Sequence, residues 1–286
     1  MENKEKNKVE GGVLYLVGTP IGNLSDVTER AKKVLAEVSF VAAEDTRNSA
    51  KLLMCLGIQK ELVSYFEHNK KTSGERITAR LLAGESCALI TDAGMPAISD
   101  PGEDLVRLCA DAGIKVSVVP GACAAVSALA LSGLPTGKFV FEGFLSASKG
   151  ERRARLEELK NEQRTLIIYE APHKLKNTLS DMTEIFGNGR RISLCRELTK
   201  INEDVMRTTL ADAVAHYAQN EPRGEYVLVI DGNSETAVAE NPLSVLSPKE
   251  HVEHYVSLGM KKMDAIKAAA KDRGVSKSEL YSELVK

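Results

Sequence analysis

Residues 89–102, LITDAGMPAISDPG from Leu89 to Gly102, decide how the chain is read. The apolar run Cys87 to Ile90 leads into them and predicts a short, buried parallel strand. Asp92, Gly94 and Pro96 break it into a turn. Asp100-Pro101-Gly102 then opens a helix, with Pro at its first position and Glu103 and Asp104 in its first turn. Such connections usually run about two to six residues, and this one needs roughly ten. An irregular loop off the carboxyl end of a parallel strand is where α/β proteins place ligands. Gly94 lets backbone approach a ligand without a Cβ in the way, and two prolines stiffen the loop. An ordinary strand-to-helix connection is the plain alternative.

At 286 residues the chain can bury a large core, and its length suggests about two domains. No apolar run approaches the roughly 20 residues of a membrane span, so no membrane partner is expected. Residues 1–12 read as a disordered tail, charged and without the apolar centre of a secretory signal. Cys55, Cys87, Cys109, Cys123 and Cys195 each fall in an apolar run without metal-site spacing, which predicts buried thiols in a reducing cytoplasm and no metal. Net charge is −2, so any nucleic-acid contact must come from local basic patches. The chain has no Trp and few aromatics, which argues against a base-stacking platform for single strands.

The alternation of elements begins with a strand at Val13 to Val17. The turn after it, Gly18-Thr19-Pro20-Ile21-Gly22-Asn23, lacks the GxGxxG spacing of a dinucleotide fold. A helix is expected over Thr28 to Glu37 and a strand over Ser39 to Ala43, ending in Glu44-Asp45-Thr46-Arg47. That cluster reads either as a helix cap at Asp45 or Thr46 or as a functional group. A strand at Leu62 to Tyr65 ends in Phe66-Glu67-His68-Asn69. A helix over Thr72 to Ala83 precedes the opening loop. Beyond that loop come a helix to about Gly113, a strand at Lys115 to Val119, and Pro120-Gly121-Ala122-Cys123-Ala124-Ala125. The small residues there start a helix whose free N–H groups make a wall for a ligand, or else pack a helix tightly on a sheet.

The second half repeats the alternation. Strands are expected at Phe139 to Gly143, Thr165 to Tyr169, Ile192 to Cys195, Val205 to Thr209 and Glu225 to Ile230, with helices over Ser146 to Gln163 and Asp212 to Gln219. Lys149, Arg152, Arg153 and Arg155 sit where cations are disfavoured, at a helix start. Either a phosphate backbone or scattered Glu partners would explain them. Polar clusters end two of the strands: Glu170-Ala171-Pro172-His173-Lys174 and Arg196-Glu197-Leu198-Thr199-Lys200. The lobes are set at residues 13–121 and 122–233, with a linker over 234–247. Residues 248–286 read as a small helical unit resembling a helix-turn-helix hairpin. From Lys249 onward eight Lys/Arg face six Asp/Glu, a net +2 that is compatible with nucleic-acid contact or with a helical cap. These features predict a two-lobed α/β enzyme with a cleft between the lobes.

VGTPIGNL, AEDTR, FEHN, TDAGMPAISDPG, PGACA, YEAPHK and RELTK occur in this order over the first 230 or so residues. Together they resemble the tetrapyrrole methylase superfamily, and within it the bacterial family that methylates the ribose 2′-oxygen of a cytidine in small-subunit ribosomal RNA. The resemblance implies a two-lobed α/β fold holding S-adenosylmethionine in its cleft, a homodimer, and a substrate in the decoding region of 16S ribosomal RNA within the small subunit. It places the cofactor against Pro20, Asp92, Gly94, Met95, Pro96 and Ile98, with Ala122, Cys123, Ala124, Tyr169, Glu170 and Ala171 completing the pocket. Met95, Phe66, Ala122, Ala171 and Lys174 stand where the family pattern has Thr, His, Pro, Ser and Arg.

A ribose hydroxyl is a very weak acid, so a carboxylate, or a lysine with a depressed pKa, must take its proton. Asp45, Glu170 and Lys200 are the candidates, with Asp45 and Lys200 favoured. Arg47, His68, Asn69, Arg152, Arg153 and Lys174 are assigned to RNA. A tetrapyrrole methyltransferase and a non-catalytic RNA-binding assembly factor are the alternatives.

Overall fold

The computed structural model describes residues 8–233, 243, 246–273 and 275–285. Two compact units divide the chain, Met1–Asp231 and Gly232–Lys286.

The first unit contains two sheets. Apolar runs build the first from β1 (Val13–Val17), β2 (Phe40–Ala43), β3 (Glu61–Ser64), β4 (Cys87–Ile90) and β5 (Lys115–Val119), in the order β3-β2-β4-β1-β5. Every pairing is parallel. Helices α1 (Glu29–Glu37) and α2 (Thr46–Cys55) cover one face, placing Val34, Leu35 and Leu53 on Val41 and Ile90. Helices α3 (Lys70–Leu82) and α4 (Gly102–Asp111) cover the other, placing Ile77, Leu81 and Leu105 on Phe40 and Leu89. Burial on both faces explains why β2 and β4 are continuously apolar. Strand order reverses beside β1, the kind of place where open α/β sheets bind ligands.

The second sheet is mixed. After α5 (Ala124–Ser132) come β6 (Phe139–Phe144), α6 (Lys149–Leu159), β7 (Thr165–Glu170), α7 (Pro172–Phe186), β8 (Arg191–Arg196), β9 (Asp204–Thr209), α8 (Leu210–Gln219) and β10 (Tyr226–Ile230). The order is β6-β7-β10-β8-β9. β6 and β7 are parallel, and the remaining pairs are antiparallel. Helices α6, α7 and α8 cover one face with Leu156, Leu175, Met182 and Leu210. On the other, Ala125, Ala128 and Leu129 of α5 pack on Ile167, Cys195 and Val227. The small residues of α5 therefore do pack closely on a sheet.

Of the expected tail, residues 1–7 lie outside the described residues. Val9 packs on the first core, and the Gly12 N–H donates to Glu85 O at 2.8 Å. Residues 234–242, 244 and 245 of the expected linker also lie outside. The second unit holds three helices among its described residues, where a hairpin of two was expected: α9 (Pro248–Ser257), α10 (Lys262–Asp272) and α11 (Lys277–Val285). A complete capping box, Ser247 with Glu250, starts α9. Val252, Ile266, Ala269 and Leu280 form its core. No helix among the described residues is long and apolar enough to cross a membrane. Cys55 is exposed and Cys123 half-buried, which corrects the expectation of five buried thiols.

Candidate active site

The loop after β4 meets the turn after β1 through two reciprocal backbone hydrogen bonds, Thr19 N–H to Gly94 O at 2.9 Å and Gly94 N–H to Thr19 O at 3.2 Å. The buried Thr19 hydroxyl also donates to Thr91 O at 3.1 Å. Gly94 takes φ +85°, a left-handed conformation that costs glycine nothing. Ala97 and Ser99 adopt φ +67° and +60°, each storing roughly 1–3 kcal/mol of strain. Asp100 holds them there: its Oδ1 accepts from the N–H groups of Ala97 (3.0 Å) and Gly102 (2.7 Å). Met95 is a structural plug. Its sulfur accepts a weak hydrogen bond from Gly121 N–H at 3.3 Å and occupies the space that a Cβ on Gly18 would need.

This loop forms one wall of a cavity of about 560 Å³ between the two sheets of the first unit. From the sequence-assigned cofactor residues, the cavity brings together Gly94, Met95, Ile98, Cys123, Ala124, Tyr169, Glu170 and Ala171. The other four lie outside its lining. Asp92 is exposed and accepts from Asn48 at 3.0 Å. Pro96 is buried and Pro20 half-buried. Ala122 presents its carbonyl to Gly94. The Tyr169 hydroxyl accepts from Ala125 N–H at 3.2 Å, fixing the start of α5. Burial pushes that phenol up to about 12.

The candidate proton acceptors divide sharply. Asp45 is the N-cap of α2, accepting from Arg47 N–H at 2.8 Å. It also grips the Arg47 side chain, and those hydrogen bonds hold its carboxyl down at about 2. So weak a base is a poor acceptor for a hydroxyl proton, which weighs against that role. Lys200 does line the cavity. Burial works to depress its pKa, but hydrogen bonds to Glu197 and Glu225, both at 2.8 Å, outweigh that and raise it. Lys200 thus sits in the lining as a cation held by two carboxylates, which weighs against its acting as a base. Glu170 is buried with both oxygens engaged, by Ala171 N–H at 2.9 Å and the Thr178 hydroxyl at 2.5 Å.

Sequence reading passed over Glu44, one residue from the cap. It is exposed, lines the cavity and accepts from the Thr91 hydroxyl at 3.1 Å. Its signal lay in the same four-residue cluster, where position at the strand end, not residue type, separates the free carboxylate from the capping one. Phe144 and Glu225 also line the cavity unforeseen.

The RNA assignments fare unevenly. Arg152 is only 5% exposed and pairs with Asp181 at 2.7 Å. Arg153 bonds Asp181 and Glu184, and Arg155 bonds Glu142 and Glu158. The cationic start of α6 is thus answered by carboxylates on β6, α6 and α7, and Arg152 is withdrawn as an RNA contact because it is buried. Asn69 spends its amide on a turn, with Oδ1 accepting from Phe66 N–H and Nδ2 donating to Ser64 O. Arg47 and His68 are exposed. Lys174 is near the cavity, 3.7 Å from Glu170 and 5.8 Å from the Phe144 ring centre.

A parallel sheet and a mixed sheet flanking a cleft, with a glycine loop at the first sheet's switch point, define a protein of the tetrapyrrole methylase class. The family model for tetrapyrrole (corrin/porphyrin) methylases matches residues 13–214. A solved uroporphyrin-III C-methyltransferase from Thermus thermophilus, complexed with S-adenyl homocysteine, shares the fold with TM-score 0.53 at 20% identity, covering 76% of this chain and 96% of that one. Within the class, the chain belongs to the ribosomal RNA small subunit methyltransferase I family. The member from Halalkalibacterium halodurans is 52% identical over 273 residues, 95% of this chain and 94% of that protein. The member from Bacillus subtilis is 48% identical over 276 residues, covering 96% and 94%.

Proposed function

We infer that this protein is an S-adenosylmethionine-dependent methyltransferase of small-subunit ribosomal RNA, acting on the ribose 2′-hydroxyl of a cytidine in the decoding region of 16S RNA. The observation that carries the reading is the cleft, together with the family to which the chain belongs. Its 560 Å³ falls in the range of about 300–1,000 Å³ for small-ligand sites. One wall is backbone at Gly94, and the floor is apolar at Cys123, Ala124, Cys195 and Val227. Asp100 lines the same cavity and keeps its Oδ2 buried without a protein partner among the described residues. Such an orphaned carboxylate oxygen suits the ammonium of a bound amino-acid moiety.

S-adenosylmethionine supplies an electrophilic methyl group. The chain must place the ribose oxygen in line with it and accept the hydroxyl proton. Glu44 is assigned the proton: it is the cavity's solvent-facing carboxylate on the first sheet, steadied by Thr91. Lys200, fixed by Glu197 and Glu225, presents a positive charge that orients the sugar or a flanking phosphate. Lys174, Arg47 and His68 are assigned to the RNA backbone. The reading carries a reducing cytoplasmic setting, in keeping with five free cysteines. It also carries a homodimer, for which exposed Val118, Val126 and Leu131 offer apolar surface.

Incubation with methyl-labelled donor and small subunits lacking the modification, followed by mass mapping of the RNA, is the test. One methyl on a cytidine ribose is expected. Label on a porphyrinogen instead, or subunit binding without donor binding, would overturn the reading.

A further inference from the structure

Strict alternation along β6 would put Val140, Glu142 and Phe144 on one face and Phe141 on the other. Val140 does pack on the α6–α8 side, and Glu142 pairs with Arg155 of α6. Phe144 does not follow them. Phe141 is paired with Ile167, Gly143 with Ile168 and Phe144 with Tyr169, so the register slips by one residue at Glu142. Gly143 takes φ +65°, and a Cβ there would lie 2.8 Å from Ser99 Oγ on the cleft loop. A bulge re-aims the side chain that follows it, and here it turns Phe144 onto the face of Phe141 and into the cavity lining.

The side chain so delivered is only partly packed. It is 59% exposed, in a chain with six Phe and no Trp. Its ring is braced on Tyr169, centroids 5.4 Å apart, and Phe141 braces Tyr169 in turn at 4.9 Å. Lys174 Nζ stands 5.8 Å from the ring centre. An exposed, braced aromatic face beside a cation is how proteins hold an unstacked base and its phosphate.

We propose that Phe144 is the stacking platform for the nucleobase of the nucleotide being methylated, with Lys174 beside it for the adjoining phosphate. The proposal rests on the RNA-methylating reading above. Phe144 is exposed where Cys195 and Val227 of the same lining are buried, so its ring is open to a second molecule. It sets one braced ring against the low aromatic content, which argues against a stacking platform for single strands.

The test compares Phe144→Leu with Phe144→Tyr in the full chain, measuring KM for small subunits and donor affinity by calorimetry. Base stacking on an aromatic is worth enough that the leucine variant should raise KM about tenfold or more. Donor affinity should stay unchanged, and tyrosine should restore KM. Equal KM values for leucine and tyrosine would overturn the proposal. So would a loss of donor affinity in the leucine variant matching the loss for subunits, which would assign the ring to the donor's adenine. Failure of the wild-type protein to methylate subunits would instead remove the underlying reading, and the proposal with it.

Discussion

Gly18 and Gly121 meet backbone to backbone: a Cβ on Gly18 would lie 2.7 Å from Gly121 Cα, and one on Gly121 would lie 2.9 Å from Gly18 Cα. The contact brings the end of β1 against the chain leaving β5, under the Met95 sulfur. Neither side can yield without moving main chain. Gly18→Ala should therefore destabilise the first unit by about 1–3 kcal/mol and weaken donor binding by displacing Met95. Gly150→Ala is the control, because a Cβ there meets nothing within 4 Å. Thermal melts and donor titration of both variants check this, and equal behaviour would refute it.

Arg152 and Asp181 form a buried pair, and removing one partner of such a pair typically costs about 3–5 kcal/mol. Asp181→Leu should show this loss in urea unfolding, while Arg152→Met with Asp181→Leu should recover much of it. The salt slope of subunit binding should not change in Arg152→Met, since the guanidinium reaches no phosphate.

Asp45 titrates at about 2, below its ordinary 3.8, through its hydrogen bonds with Arg47. A depressed carboxyl stabilises the fold above its unfolded pKa and loses that contribution as pH falls through the folded one. The α2 cap should therefore hold above about pH 4 and weaken toward pH 2. Arg47→Ala should return the Asp45 midpoint, followed by NMR, toward 3.8. An unmoved midpoint would show that Arg47 is not the cause.

Glu44→Gln should lower kcat for methyl transfer by roughly 10²–10⁴-fold, the usual worth of a positioned base, at unchanged donor affinity. Asp45→Asn should keep near wild-type transfer, since Asn caps a helix about as well as Asp. The reverse pattern would restore the proton to Asp45.

What could be read ahead of the structure was whatever is local. Continuous apolar runs marked the buried strands, and Gly94 with its prolines marked the loop that walls the cleft. Residues whose roles turn on distant partners or on exact backbone geometry needed the structure. Arg152 looked like an RNA contact because its neutralising Asp181 lies 29 residues on. Asp45 and Glu44 are adjacent, and only the geometry of the first turn of α2 tells cap from free carboxylate. Lys200 reads as a candidate base because Glu225, one of the two carboxylates that bond it, lies 25 residues on, just before β10. The aim of Phe144 was hidden because periodicity assumes an uninterrupted strand, and the slip at Glu142 breaks that assumption.

The paired backbone bonds between Thr19 and Gly94 involve no side chain at all. They pin the loop at Gly94 whatever side chains follow, while Met95 and Asp100 set its course beyond that point. At Ile98, exposed in the cavity lining, the socket can be relined with a polar residue while its rim at Gly94 keeps its shape. Changes there retune what the protein accepts and leave the architecture alone.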